Sequence, residues 1–266
     1  MVNVRLVFVG KIPAELNVKK VVKWKSSLFK VLPNVKYPLN LTPDIMPWGY
    51  SDVNLTKGFP SADKIKQQTQ DGKEADLTFY IIDAPIQDNW FTRIFAPNRI
   101  VLTFHEAKDI LKAEYVPFEN YVISSLYFYS LLYVKVGTGT ITMPDELAMV
   151  HGARRECVFD MCGIKDELPD SCITPGLCRS CEEKLKNVDE KLLADVRKEL
   201  KNLKRMRYFQ LALFLKANPC LSLGASVLFA VFCSLLANIF FQCLTKQKWL
   251  HTFFNDYHIS LIKYIS

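Results

Sequence analysis

The chain has 266 residues, 50% of them hydrophobic, and a formal net charge of +7 at pH 7. That length gives one or two domains and a sizeable core, and the aromatic content, mostly Phe and Tyr, excludes general disorder. Eight cysteines in so long a chain, with no signal-peptide pattern at its start, argue against a disulfide-built secreted domain. The expectation is a reducing compartment in which clustered thiols bind metal.

Val4 to Gly10 (VRLVFVG) reads as a strand ending in a turn. After Pro13, Leu16, Val21, Val22, Trp24 and Leu28 recur at roughly helical spacing with lysines between them, which predicts a solvent-backed helix on a sheet. A second strand is expected at Val35 to Tyr37, followed by a long irregular excursion from Pro38 to Gln70. Ala75 to Asp83 (ADLTFYIID) and Arg99 to Phe104 (RIVLTF) read as further strands. The stretch between them, Ala84 to Pro97, carries Asp88, Asn89, Trp90 and Arg93. Such loops are usual site positions in α/β folds, although a plain surface crossover is the simpler reading.

His105-Glu106-x-x-Asp109 resembles a metal-binding HExxH with aspartate in its last place. No third ligand follows at a matching distance, so His105 reads as a surface or packing residue. Pro117 opens a helix that runs almost wholly apolar or aromatic through Tyr133. Its asparagine, serines and tyrosines predict a buried central helix rather than a membrane span.

His151 to Leu185 (HGARRECVFDMCGIKDELPDSCITPGLCRSCEEKL) holds five cysteines and a histidine within 31 residues. Cys178-x2-Cys181 is a good half-site, because two thiolates three residues apart can grip one tetrahedral ion from a tight turn. The polar neighbours Gly176, Arg179, Ser180, Glu182 and Glu183 argue against the alternative of buried, inert thiols. The other half must come from His151, Cys157, Cys162 and Cys172. Four Cys or His ligands leave zinc no open position for water, so the expected site is structural.

This segment resembles the tail of archaemetzincins, zinc metalloproteases whose HExxHxxGxxH helix is followed by Cys-x4-Cys-x-Met and later by CxxC. His151-x5-Cys157 has the spacing of that family's last histidine to its second cysteine. Cys178-x2-Cys181, with Lys184 and Leu185 after it, matches the closing CxxC. The resemblance implies a metzincin-like mixed α/β sheet with packed helices and a zinc-tied His/Cys segment. In that register the first two catalytic ligand positions fall on Ile141 and Asp145, the general base on Thr142 and the glycine on Ala148. The family's first cysteine becomes Gly152 and its methionine Phe159. The resemblance therefore implies the structural zinc and not protease activity, since catalysis needs a zinc-bound water beside a carboxylate base. The expected Zn2+ ligands are His151, Cys157, Cys178 and Cys181, with Cys162 competing with His151 for the fourth place.

From Lys184 to Arg207, Leu185, Val188, Leu192, Val196, Leu200 and Leu203 line one side of a long helical pattern. It reads as a connector, a coiled-coil strand of a homo-oligomer over 184–207, or a helix lying back on the domain. No charged residue lies between Lys216 and Lys246. Leu221 to Phe241 would rise roughly 31 Å as a helix, about one bilayer core. Lys198, Lys201, Lys204, Arg205, Arg207 and Lys216 crowd its N-terminal side, which places the large domain on the cytoplasmic face of a single-pass protein. They also account for much of the excess charge, so nucleic acid is the lesser explanation of it.

The predicted organisation is an α/β domain over 1–183 with its zinc segment at 151–183, a basic connector helix over 184–216, a transmembrane helix over 217–245 and a short tail, 246–266. The functional reading is a membrane-anchored, zinc-stabilised, non-enzymatic sensing or interaction protein, by analogy with microbial defence and stress effectors. The alternatives are a diverged membrane-anchored metalloprotease or other hydrolase, and a zinc-dependent nucleic-acid binder. The last would use Arg154, Arg155, Lys165 and Arg179, a surface diluted by Glu156, Asp160, Asp166 and Glu167. No ligand is named by these patterns.

Overall fold

A computed structural model describes residues 1–39, 49–69, 73–152, 156–173, 175–204 and 206–246. The chain divides into two units, Met1–Arg207 and Tyr208–Ser266. In the first, six described strands form one mixed sheet: β1 (Val2–Val9), β2 (Phe29–Val31), β3 (Val35–Tyr37), β4 (Leu77–Ile82), β5 (Thr92–Ala96) and β6 (Arg99–Thr103). The order is β2-β1-β4-β6-β5, with β3 also on β1. All pairs are parallel except β5 with β6.

β2 and β3 are two halves of one edge. Val2 pairs with Phe29 and Val7 with Val35, so the offset grows by a residue across Leu32 to Asn34. Pro33 sits in that step, where a residue lacking an N–H removes nothing from the ladder. Alternation along β1 then sends Val2, Val4, Leu6 and Phe8 to one face and Val7 and Val9 to the other. Both faces are covered, as parallel sheets require.

One face carries α2 (Asp52–Gly58) and α3 (Ala62–Thr69), which bury Leu55 and Ile65. These two helices lie in the stretch expected to be irregular; residues 40–48 and 70 of that stretch fall outside the described residues. Ser51 explains the start of α2, since its side chain accepts from Asn54 N. The other face carries α1 (Val18–Val22), α4 (Ala107–Ala113) and α5 (Phe118–Val136). The first is shorter than the Leu16 to Leu28 spacing predicts, ending at Lys23 before Ser26 and Ser27.

Helix α5 is the centre of the domain. Its inner side meets the sheet through Tyr129 against Phe79 and Tyr127 against Phe29, with ring centroids 5.6 and 5.0 Å apart. Its outer side meets the His/Cys segment, where Phe128 lies 5.1 Å from Phe159. Each buried polar group that this arrangement creates needs a partner. Asn120 donates to the carbonyls of Cys172 and Lys204, Ser124 to that of Ser171, and Tyr121 to those of Phe91 and Thr103. Gly137, at φ +70°, ends the helix in the left-handed conformation that glycine adopts freely.

Beyond α6 (Met143–Met149) the chain crosses α5 and continues into α7 (Arg179–Lys184) and α8 (Glu190–Leu200). The predicted single helix over 184–216 is not formed. Leu185 to Asp189 interrupts it, with the Asp189 side chain accepting from Leu192 N to start α8 afresh. Leu193, Val196 and Leu200 are buried in the main core, so of the three roles open to the apolar stripe the one formed is that of a helix lying back on its own domain. The unit boundary accordingly falls after Arg207 rather than at 183.

In the second unit, α9 (Arg207–Ala217) precedes α10 (Pro219–Lys246). Pro219 fits the first position of a helix, where its missing N–H is not needed. Pro219–Cys243 is long and apolar enough to cross a membrane, and none of its most apolar window is buried. The 246–266 tail, apart from Lys246 itself, lies outside the described residues.

Candidate metal centre

Three short pieces of backbone bring four ligand types together. His151 N donates to Phe159 O and Met161 N to His151 O, while Val158 N donates to Gly176 O and Gly176 N to Glu156 O. These bridges hold 156–161 between His151 and Gly176, which leads to Cys178. Cys178 precedes α7 and Cys181 lies in its first turn, so the CxxC spacing places both thiols at one helix end. Cys157, Val158 and Phe159 are all buried.

The ligand atoms of His151, Cys157, Cys178 and Cys181 all lie within 4.8 Å of one another. Cys157 Sγ is 3.8 Å from Cys181 Sγ, and Cys178 Sγ is 3.5 Å from His151 Nε2. A tetrahedral ion with bonds of about 2.3 Å to sulfur and about 2.0–2.1 Å to nitrogen separates sulfur pairs by about 3.8 Å and a sulfur–nitrogen pair by about 3.6 Å. These two edges therefore fit a tetrahedral ion, whereas disulfide sulfurs stand about 2.05 Å apart. Of the four candidate ligands, Cys157 and Cys181 are buried.

The electrostatics suit a thiolate. The hydrogen bond shared with Cys181 holds the Cys157 thiol down to about 5, helped by the Phe159 and Cys178 N–H groups and His151 against the opposing effect of burial. The partner thiol of Cys181 is driven up by the same hydrogen bond and by burial.

Cys162 and Cys172, the other thiols of the segment, stand apart from the quartet. Cys162 Sγ lies 3.3 Å from Ser171 Oγ and 3.7 Å from Asp160 O, and burial pushes its thiol up to about 12. Cys172 is buried in the core and is likewise raised by desolvation. Between the two candidates for the fourth position, geometry gathers His151.

The positions that the metzincin register assigns to catalysis are occupied by structural roles. Ile141 is fully buried, and Asp145 Oδ2 accepts from both Thr142 N and Thr142 Oγ1 to start α6. His105 and Glu106 are partly exposed, their nearest ring-to-carboxylate distance being 3.9 Å. Among the described residues, the one cluster with metal-ligand geometry is the His/Cys quartet.

The Ala84 to Pro97 stretch is more than a crossover. It contains β5, the antiparallel edge strand, on which Arg93 is buried and ion-paired to Asp52 at 3.0 Å, with Asp88 at 4.0 Å. Glu146 on α6 accepts from Tyr129 OH at 2.6 Å and Ile94 N at 2.8 Å, covering an edge amide of β5. Burial raises its carboxyl above the usual range despite those bonds. Neither Asp52 nor Glu146 is marked in the sequence, because partners 41 and 52 residues away leave no local spacing signal.

A cavity opens beside the centre, between α5, the start of β5, α6 and the loop that the quartet closes. Trp90, Phe91, Phe128, Glu146, Met161 and Cys162 are among its lining residues. Arg154 and Arg155 lie outside the described residues, and Arg179 pairs with Glu183 at 3.4 Å. No protein family, curated protein or solved structure matches this chain.

Proposed function

We infer that this is a membrane-anchored, zinc-stabilised protein whose α/β domain senses or binds a partner rather than catalysing a reaction. The observation that carries the reading is the closed quartet of one imidazole and three thiols, with two edges at tetrahedral spacing. Zinc is the ion that such a nitrogen–sulfur set selects, and a site with four protein ligands has no open position for water. What the ion supplies is a cross-link. It ties His151 and Cys157 to the start of α7, and so holds the intervening loop over the outer side of α5 and against the cavity.

The metzincin resemblance enters as the ancestry of that zinc-tied tail. It is consistent with a mixed sheet bearing one antiparallel edge strand. The anchor is Pro219–Cys243, and the basic residues before it favour a cytoplasmic domain.

Two measurements on the full chain test this. Purified protein should contain one equivalent of zinc, and membranes washed with carbonate should retain it. Stoichiometric zinc absent from protein purified without chelator would overturn the metal assignment, and release by carbonate would overturn the anchor. Chelator-sensitive hydrolysis of casein would replace the non-enzymatic reading with that of a diverged protease.

A further inference from the structure

Between Glu15 and Asp44 the sequence has six lysines and no acidic residue, and after Glu199 no acidic residue occurs before Asp256. The two stretches are far apart in sequence but meet in the fold. Glu199 accepts from Ser26 Oγ at 2.9 Å, Ser27 N at 2.8 Å and Tyr127 OH at 2.6 Å, which fastens the end of α8 to the segment after α1. Lys20 pairs with Glu119 at 3.4 Å, and the neighbouring Asn120 donates to Lys204 O. Met206 N donates to Tyr115 O just before α5. One end of the domain is therefore built from α1, the start of α5 and the end of α8.

The lysines at this end point to solvent: Lys19, Lys20, Lys23 and Lys25 from the first stretch, and Lys198, Lys201 and Lys204 from the second are all exposed. Two of them are paired, Lys20 with Glu119 at 3.4 Å and Lys198 with Asp195 at 4.0 Å. Glu199 is turned inward to its three donors, which leaves Lys19, Lys23, Lys25, Lys201 and Lys204 to carry the charge of the face. The chain leaves the domain from this same end, at Arg207.

From this convergence we propose that the lysine face docks on the anionic headgroups of the bilayer that α10 enters. The proposal rests on the anchor reading above. It names a second contact with the same membrane, made by the folded domain itself. The length of the tether supports a lipid occupant. α9 has 11 residues, ~17 Å as a helix, between the end of the domain and the start of the apolar helix. A tether of that length holds the lysines near the headgroups at high effective concentration, so individually weak attractions act together.

The test is amine labelling of the full chain reconstituted into vesicles, read lysine by lysine by mass spectrometry. Phosphatidylcholine vesicles are compared with vesicles containing about 30% phosphatidylserine. Labelling of Lys19, Lys23, Lys25, Lys201 and Lys204 should fall at least about threefold in the anionic vesicles and recover in about 0.5 M salt. Lys57 and Lys64, exposed on the α2–α3 side, should label equally in both. The triple variant Lys19→Glu/Lys23→Glu/Lys201→Glu should remain carbonate-resistant and lose the difference at Lys25 and Lys204. Equal labelling of the parent in the two vesicles overturns the face while leaving the anchor intact. Stronger protection by an RNA oligonucleotide than by anionic vesicles overturns it in favour of nucleic acid. Should carbonate strip the chain, the anchor reading fails, and the same comparison with vesicles added to purified protein still decides the face.

Discussion

Helices α5 and α10 are both rich in apolar and aromatic residues, and they have opposite environments. In α5, Phe118 through Leu132 are buried without interruption. In α10, Leu221, Leu228, Phe232, Leu236 and Phe240 are exposed. The difference lies in the polar groups each helix carries. Asn120, Tyr121, Ser124, Tyr127 and Tyr129 give α5 side-chain bonds to the sheet, to α6, to α8 and to the His/Cys segment. The apolar helix α10 offers serines that can return to their own backbone, as Ser226 Oγ does to Ser222 O at 2.8 Å. A protein interior accepts an all-round apolar helix when its surroundings satisfy its polar groups. A bilayer accepts one that satisfies its own.

The largest effect is expected at the His/Cys quartet. The loop over the outer side of α5 is held by the quartet, so Cys178→Ser should lose zinc, and the destabilisation should be several kcal/mol because structural metal binding is folding free energy. Thermal melting with metal analysis checks this, and a parent-like melt with full zinc would remove the quartet from the account. Cys162→Ser should keep its zinc, since its thiol bonds Ser171 and Asp160 outside the quartet.

A second break concerns α10. Lysines introduced together at Val231 and Leu235 should each cost about 2.5–3.5 kcal/mol of insertion at a span centre. Carbonate should then release the protein, while the domain keeps its melting temperature and its zinc. If the melting temperature fell instead, α10 would be part of the domain core.

Asn120→Ala sharpens the α5 side. It removes two donated bonds and leaves the Cys172 and Lys204 carbonyls without that donor, at a cost of about 1–3 kcal/mol measurable by denaturant unfolding.

The smallest effect concerns Glu146, whose carboxyl burial raises above its usual value. A raised acid weakens the fold fully above its folded pKa, and the penalty disappears below its unfolded pKa. Glu146→Gln removes the titration, so its stability relative to the parent should decline as pH falls through that window. A difference that stays flat with pH would mean that Glu146 titrates alike folded and unfolded.

Features whose cause is local are legible in the residues alone. Branched residues in short runs gave β1, β4 and β6 to within a residue or two, and a polar-studded apolar run gave α5. A charge-free stretch gave a helix of membrane-spanning length, and two thiols three apart gave half of the His/Cys quartet. Only the tertiary structure decided what depends on distant partners. The edge strand β5 is one case, since Thr92 to Ala96 reads as loop until it pairs with β6. The docking of α8 is another: its leucine stripe serves a coiled coil and a core equally well until α5 is beside it. The fourth member of the quartet is the third. His151 and Cys162 were both reachable along the chain, and the bridges from His151 to Phe159 and Met161 brought the imidazole, rather than the thiol, to within 3.5 Å of Cys178. Spacing fixes which ligands can share a turn, but backbone pairing across the fold fixes which of them meet.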